Sequence, residues 1–416
     1  MGSNTKKRKT NSSVFSKKSL WIIFAAFLAV ILLLIIILIS GHKKREDKPK
    51  NELLSFQLNE FDSALIEYLC SNGYDSSDFL ISPVSLRASL CLAAVGAQGK
   101  TRQELVNAAG FSGMESFSAW YSMLKNAEKS FADQNIRGCK FSVENSVWSN
   151  KNLLSDFTDS YASAIAEQYN AGAYSFESDE FTQAINSWVN EKTDGFIPII
   201  AEDMTGASSA LISALLLRNS WDTVFSKAEA TESVVLDING KEQTVSFMEQ
   251  TGEYLYTEES GTKIVVIPLK GNMSFVCFLG NRIDMFSKTK NLKTELVHLV
   301  LPKFELESTF DSKDISGFLL SRGVLEAIDE KNANFYNMCQ GTSWFIQETL
   351  QKTTLAIDEE GVGFAKANVK PGTCKTYEQS KVIDFTANVP FSFAVFSDIE
   401  STDRQMLLYG QLMSIG

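Results

Sequence analysis

An uninterrupted apolar run near the start of the chain limits what this sequence can become. Leu20 to Ile39 is twenty residues long and contains no charge, no proline and no glycine. Because a helix rises about 1.5 Å per residue, the run matches the roughly 30 Å hydrocarbon core of a bilayer. It is longer than the apolar part of a cleaved signal peptide, and charged residues follow it from Lys43 onward. The pattern predicts an uncleaved membrane anchor.

The anchor divides the chain into four segments. We expect a basic, cytosolic tail over residues 1–19, a transmembrane signal-anchor helix over 20–40, a charged linker over 41–51 and a globular domain over 52–416. Six Lys or Arg residues precede the run, and five follow it together with two acidic residues. The larger net positive charge on the N-terminal side of the run favours a cytosolic N-terminus. It predicts a single-pass type II membrane protein with an extracellular or lumenal domain.

The globular part is strongly acidic. Residues 1–50 hold eleven Lys or Arg and two acidic residues, whereas the rest of the chain holds 28 basic and 48 acidic residues. Such a domain repels phosphate groups, so nucleic acid is not an expected partner. An apolar content of 44% is sufficient for a large core.

Helical patterns come first along the globular part. Ser82 and Pro83 are residue types of a helix N-cap and first helical position, and an apolar helix is expected over Leu86–Val95. Thr101 to Glu104 has capping-box spacing and predicts a second helix that opens at Thr101.

Strand patterns follow and continue to the end of the chain, which predicts an α+β fold. The apolar run Ala210–Leu217 is typical of a strand covered on both faces. Lys263–Leu269 and Met273–Leu279 flank Gly271-Asn272 and predict a hairpin. A single strand is expected over residues 295–306.

Histidine-based catalysis is not supported by the composition. The globular part has one histidine, His298, inside a strand-like segment, where a structural role is typical. The six cysteines include no C-x-x-C pair, and Cys91 and Cys277 lie in apolar runs typical of core. We therefore expect no enzyme, no metal site and no cofactor. The sequon Asn272-Met273-Ser274 is a possible glycosylation site.

A long segment without periodicity separates the strand ending at Ile357 from the strand that begins near Phe391. It opens with Asp358-Glu359-Glu360, which is typical of a solvated acidic turn. Gly361-Val362-Gly363 follows and lacks the third glycine of a phosphate-binding loop. Long connections of this kind are usually functional, and exposed lysine-bearing backbone is a substrate for trypsin-like proteases.

Several motifs, in order, resemble those of the serpin superfamily, and the similarity runs from about residue 52 to residue 416. The motifs are Asp78–Leu86 with Gly96–Thr101, Ile185–Val189 with Thr193–Gly195, Leu211–Trp221 with Phe225, Leu301–Phe304, Asp358–Gly361, and Asn388–Phe391 with Leu408–Gly410.

The resemblance implies a serpin fold with three β-sheets, eight or nine helices and an exposed reactive-centre loop. In inhibitory members a protease cuts the loop, which then inserts into the main sheet as an added strand and carries the bound protease with it. Family register places the reactive bond at Lys375–Thr376, with Lys370, Cys374 and Tyr377 as alternatives because the loop is long. The implied loop hinge is Glu359, Glu360, Gly361, Val362, Gly363, Phe364, Ala365, Lys366 and Ala367. The implied sheet-opening region is Ser82, Pro83, Ser213, Gln351 and Trp221.

The hinge departs from the pattern of inhibitory members. By family analogy Val362, Phe364 and Lys366 face the core after insertion, where a ring overpacks the space and an unpaired ammonium is costly. Ser213 and Gln351 stand where the family usually has asparagine and histidine.

Two functions therefore stay open. One is a membrane-tethered, monomeric inhibitor of trypsin-like serine proteases. The other is a non-inhibitory binding or chaperone-like module whose loop is cut as a substrate.

Overall fold

The computed structural model describes residues 56, 58–227, 230–236, 240–280, 286–341, 344–363, 382–398 and 404–415. The apolar run 20–39 lies outside this part of the chain. Within the described ranges, no helix is both long and apolar enough to span a membrane. These ranges contain seven α-helices: α1 Glu60–Leu69, α2 Pro83–Gly96, α3 Gly99–Ala108, α4 Met114–Asp133, α5 Asp159–Tyr169, α6 Ser178–Lys192 and α7 Ser312–Ser321.

The described residues also contain fifteen strands, most of them in the second half of the chain. They are β1 Phe79–Ile81, β2 Lys140–Asn150, β3 Gly172–Phe176, β4 Ser209–Ser220, β5 Thr231–Leu236, β6 Glu242–Glu259, β7 Thr262–Leu269, β8 Met273–Leu279, β9 Lys293–Pro302, β10 Phe304–Phe310, β11 Glu348–Ile357, β12 Gly361–Val362, β13 Ile383–Thr386, β14 Phe391–Asp398 and β15 Arg404–Leu412.

The strands form a six-stranded sheet and a nine-stranded sheet. The six-stranded sheet has the order β10-β11-β12-β4-β2-β3. The larger sheet has the order β1-β15-β14-β8-β7-β6-β9-β13, with β5 paired to β6. The 18-residue strand β6 pairs with β5, β7 and β9, so it joins a third group of strands to the rest of that sheet. The expected α+β organisation is confirmed.

The central strand β4 is buried on both faces, as its apolar run predicted. Leu211, Leu215 and Leu217 belong to the main core. Ala210, Ile212 and Ala214 belong to a second core with side chains of α6. We call the face toward the main core the inner face of the six-stranded sheet and the face toward α6 its outer face. Alternate residues of a strand thus serve two different layers.

Two local predictions are confirmed. Ser82 is the N-cap of α2, where its side chain accepts a hydrogen bond from the Ser85 backbone N–H, and Pro83 opens the helix. The β7–β8 hairpin turns through Gly271 and Asn272, which have φ values of 70° and 60°. Positive φ at both positions matches the twist of a tight hairpin.

Two other predictions are wrong. Residues 295–306 are not one strand, because β9 ends at Pro302 and β10 begins at Phe304 in the other sheet. Helix α3 begins at Gly99 rather than at Thr101. The Thr101 hydroxyl instead donates to Glu326, so a long-range contact replaces the expected capping box.

Candidate functional site

The start of the predicted hinge is already a strand of the six-stranded sheet. Val362 in β12 lies opposite Ile357 of β11 on one side and opposite Asn219 of β4 on the other. Its side chain is fully buried in the main core. Residues 361–362 therefore separate β11 from β4 at this end, which we call the upper end of the sheet.

Two hinge glycines are required by close backbone contacts. A Cβ atom on Gly361 would lie 2.1 Å from the Asn219 carbonyl oxygen. Gly363 has a φ of 75°, and a Cβ there would lie 1.8 Å from the Leu217 carbonyl oxygen. A left-handed backbone conformation favours glycine. The backbone of Gly363 therefore departs from the extended conformation of β12 immediately after the two paired residues.

The acidic segment before these glycines forms a tight turn. The Asp358 carboxylate accepts hydrogen bonds from the backbone N–H groups of Glu360 (2.8 Å) and Gly361 (3.0 Å). Burial raises the pKa of the Asp358 carboxyl above its ordinary value. Glu359 is 8% exposed and lies 3.1 Å from the Lys303 ammonium. The prediction of a solvated turn is wrong for Glu359, because Lys303 supplies a charged partner inside the fold.

Trp221 and Phe225 fix this turn to the end of β4. The indole N–H of Trp221 donates to the Asp358 carbonyl at 2.8 Å, and its backbone N–H donates to the Glu360 carbonyl at 3.2 Å. The Phe225 backbone N–H donates to the Glu359 carbonyl at 3.0 Å. We call Asp358, Glu359, Glu360, Trp221 and Phe225 the hinge anchor.

A second cluster lies lower in the sheet. The Gln351 amide oxygen accepts from the Ser82 backbone N–H at 2.9 Å, and its amide N–H donates to the Ser82 carbonyl at 2.8 Å. Ser213 lies opposite Gln351, with 3.5 Å between its hydroxyl and the amide nitrogen. Pro83 follows Ser82 at the start of α2. We call Ser82, Pro83, Ser213 and Gln351 the lower gate.

The predicted sheet-opening residues thus occupy two places. Ser82, Pro83, Ser213 and Gln351 meet in the lower gate, whereas Trp221 belongs to the hinge anchor. Eight positions along β4 separate Ser213 from Trp221, or about 26 Å at the rise of a strand. Their joint role in sheet opening stays a prediction.

Strands β11 and β4 keep the same alignment to each other at the lower gate and at the hinge anchor. Below the hinge, β11 pairs directly with β4 in parallel, from Glu348 opposite Ala210 to Lys352 opposite Ala214. Ile357 lies six positions after Gln351 on β11, and Asn219 lies six positions after Ser213 on β4. Ile357 and Asn219 flank Val362. A strand that entered between β4 and β11 would therefore need them to move apart sideways, without sliding along each other.

Several predicted site residues lie outside the described part of the chain. They are Phe364, Ala365, Lys366 and Ala367 of the hinge, the reactive bond Lys375–Thr376, and the alternatives Lys370, Cys374 and Tyr377.

Candidate catalytic and metal-binding residues are not assembled in the described residues. His298 lies on β9, with its ring nitrogens 3.2 Å from Asp384 and 3.4 Å from Glu249, so its predicted structural role fits. The described ranges contain no cluster of three or more metal-ligating side chains. Cys91 and Cys277 are buried core residues, as predicted, and burial raises the pKa of both thiols.

Sequence reasoning missed Lys303, Lys227 and Phe225 as parts of the hinge region. Lys227 lies 2.8 Å from the Glu360 carboxylate. Lys303 lies in the Leu301–Phe304 motif of the family resemblance but was not assigned to the hinge, and Lys227 was detectable only as a scattered basic residue in an acidic domain. Their pairing with the hinge depends on contacts between residues 56 or more positions apart.

In this arrangement the segment that follows β11 enters the six-stranded sheet between β11 and β4. Residues 57–415 match the family Serpin (serine protease inhibitor). The chain belongs to the serpin family.

Named relatives agree with this assignment. A leukocyte elastase inhibitor of Xenopus tropicalis is 26% identical over 394 residues, covering 87% of this chain and 100% of the relative. An antitrypsin of Bombyx mori is 26% identical, covering 77% and 85%. The native state of tengpin, a thermophilic serpin, superposes with a TM-score of 0.73 at 27% identity, covering 87% of this chain and 96% of tengpin.

Proposed function

We propose that this serpin is a membrane-tethered inhibitor of trypsin-like serine proteases that acts by loop cleavage and insertion. The observation that carries the proposal is the position of Val362 between β11 and β4. A loop that begins inside the sheet has its first pairings in place and can extend them downward after cleavage.

The proposed bait is the bond between Lys375 and Thr376. The protease serine Oγ attacks the Lys375 carbonyl carbon, an ester forms, the amide bond breaks, and Thr376 leaves with a new amino group. A lysine on the amino side of the cut bond suits the acidic specificity pocket of trypsin-like enzymes. Inhibition follows if the loop inserts before water hydrolyses the ester.

The apolar run 20–39 and its flanking basic residues support the proposed tether. In this arrangement the serpin domain lies outside the cell or in a lumen, as a monomer that meets proteases at the membrane surface. The Asn272 sequon is exposed at the tip of the β7–β8 hairpin, which makes it accessible to glycosylation in such a compartment.

The test is incubation of the full chain with trypsin, followed by a denaturing gel and mass spectrometry of the cut site. We expect a complex that survives SDS and a cut after Lys375. Lys375→Ala should abolish the complex, whereas the matched control Lys381→Ala should retain it. Cleavage without any stable complex, in the unaltered chain, would support the non-inhibitory module instead.

A further inference from the structure

A cavity of about 500 Å³ lies between helix α6 and the outer face of the six-stranded sheet. It is at the edge of the sheet, where β3 is the last strand. Trp148 of β2, with Tyr174 and Phe176 of β3, lines the sheet side, and Trp188 lines the helix side. None of the lining residues belongs to the hinge anchor or to the lower gate. This volume and this aromatic lining are typical of pockets that bind small molecules.

The aromatic rings of the cavity lie at steep angles to one another. The Trp148 and Tyr174 ring centroids are 4.8 Å apart with 36° between the ring planes. The Trp188 ring makes angles of 82° with Trp148 and 59° with Tyr174, at centroid distances of 6.3 Å and 6.4 Å. Rings that surround a space in this way are typical of aromatic cages, which bind ammonium groups through their negative faces.

The position of Tyr174 depends on a glycine in its own strand. A Cβ atom on Gly172 would lie 2.2 Å from the Cε2 atom of Tyr174, so the ring rests directly on the Gly172 backbone. Tyr174 is only partly buried, and part of its ring is therefore accessible to an occupant of the cavity.

One face of α6 supplies the helix side of the cavity. Glu180, Ala184, Ser187 and Glu191 recur every three or four positions, so they lie along one stripe of the helix. Ala184 and Ser187 are small and leave space at the middle of the stripe. The two glutamates lie at its ends, about 16 Å apart at the rise of a helix.

The charges of the lining favour a cation. Glu180 and Glu191 are exposed, and neither carboxylate forms an ion pair with a described Lys or Arg. Lys192 also lines the cavity, so two negative charges and one positive charge give a net charge of −1. The acidic globular part of the chain adds to this attraction.

The helix side also presents a donor that lacks an acceptor. Trp188 is 8% exposed, and its indole N–H has no hydrogen-bond partner within the described ranges. A buried N–H without an acceptor is unfavourable. An occupant that carries an oxygen acceptor near its charged group would remove this cost.

We propose that this cavity binds a small organic cation with a quaternary ammonium group and a neighbouring hydroxyl or ester oxygen, the chemistry of choline. The ammonium group lies against the Tyr174 and Trp188 rings, and the carboxylates of Glu180 and Glu191 attract it from the rim. The oxygen accepts a hydrogen bond from the Trp188 indole N–H. This binding goes beyond protease inhibition and does not depend on the reactive loop.

The test is titration calorimetry on the full, uncut chain with three probes. The first is choline. The second is its neutral carbon isostere, in which a tert-butyl group replaces the trimethylammonium group and the hydroxyl is kept. The third is phosphocholine, which adds the phosphate of a lipid headgroup.

We expect saturable binding of choline and binding of the isostere that is weaker by about threefold or more, because the isostere has the shape but not the charge. Phosphocholine should also bind more weakly than choline, because its phosphate is repelled by the acidic rim.

Two variants test the residues of the cavity. Tyr174→Leu keeps an apolar side chain without the ring, and should weaken choline binding by about threefold or more. Replacement of both carboxylates, Glu180→Gln with Glu191→Gln, should weaken choline binding by about threefold, less at high salt, and leave the isostere unaffected. Glu167→Gln is the control, because Glu167 is an exposed residue of α5 that does not line the cavity. Thermal melts check that each variant is folded.

Absence of saturable choline binding, or equal affinities for choline and the isostere, would overturn the proposal. Choline affinity that is unchanged in the double glutamine variant, in which both substituted side chains are exposed, would do the same. Tighter binding of phosphocholine than of choline would overturn the free cation and assign the cavity to a lipid headgroup. None of these results alters the trypsin test, so the two proposals fail separately.

Discussion

Gly361 illustrates how one residue controls the entrance to the sheet. The absent side chain lets the hinge backbone approach the carbonyl of Asn219 and the Cα atom of Ser220. A methyl group there would overlap backbone atoms, which cannot rotate away as a side chain could. The identity of this residue therefore determines whether β12 can pair with β4.

We expect Gly361→Ala to push the hinge out of the sheet. The overlap should lower the free energy of unfolding by about 1–3 kcal/mol. Hydrogen exchange should rise at the Gly363 amide, which donates to the Ala356 carbonyl at 2.7 Å. Gly206→Ala is the control, because a Cβ at Gly206 meets no atom within 4 Å. Unchanged exchange in Gly361→Ala would contradict this account of the entrance.

Glu128 in α4 gives the molecule a pH dependence that can be traced to one carboxyl. Its carboxylate accepts from the Lys125 ammonium and from the Val143 backbone N–H, both at 3.1 Å. Burial nevertheless raises its pKa to about 7. Because the folded pKa exceeds the ordinary value, this group stabilises the fold most at low pH, and its contribution is lost as pH rises through about 7.

We therefore expect the unfolding temperature to fall between about pH 5 and about pH 8, and we expect Glu128→Gln to make that fall smaller. The glutamine retains an acceptor for the Val143 N–H. Burial also raises the pKa of Asp62 to about 7, so part of the slope should persist. Thermal melts at the two pH values check this, with exposed Glu115→Gln of α4 as the control. Equal slopes in both variants would assign the dependence to other groups.

At the scale of elements, the lower gate holds β11 to the start of α2. Gln351 is fully buried and satisfies both backbone groups of Ser82. The Ser82 hydroxyl in turn donates to the Leu407 carbonyl of β15 at 2.7 Å. The side chains of Gln351 and Ser82 together thus link the six-stranded sheet, the start of helix α2 and the nine-stranded sheet.

Gln351→Leu should lower the free energy of unfolding by about 1–3 kcal/mol, because it leaves buried Ser82 backbone groups without that partner. Ser213→Ala is the control and should have a smaller effect, since its contact with Gln351 is 3.5 Å long. Denaturant unfolding of the uncut chain measures both. A larger loss for Ser213→Ala would mean that the serine, rather than the glutamine, holds the gate.

Elements with local signals were predictable from the sequence, and elements that depend on distant partners were not. Ser82 and Pro83 predicted the start of α2, and the run 210–217 predicted a doubly covered strand, because these signals lie within a few residues. The break between β9 and β10 was missed because periodicity does not say which sheet a strand joins. The burial of Glu359 was missed because its partner Lys303 is 56 residues away. The lower gate was expected only through family resemblance.

At the scale of the whole molecule, two sequons can report which way the chain crosses a membrane. Asn11-Ser12-Ser13 precedes the apolar run, and Asn272-Met273-Ser274 lies in the serpin domain. In the proposed type II orientation only the second sequon reaches the enzymes that add glycans.

Expression of the full chain in animal cells should therefore give a glycan that peptide N-glycosidase removes. Asn272→Gln should abolish the mobility shift, and Asn11→Gln should leave it unchanged. The reverse result would place the serpin domain in the cytosol, away from extracellular proteases.

The shared register of β4 and β11 has a consequence for the speed of the proposed inhibition. Since neither strand needs to slide, we expect the barrier to loop entry to be set by parting the short parallel contact from Glu348 to Lys352. In the proposed mechanism, that parting competes with hydrolysis of the ester to the bound protease. Variants that weaken or strengthen this five-residue contact should therefore change how many cuts end in capture and how many end in release.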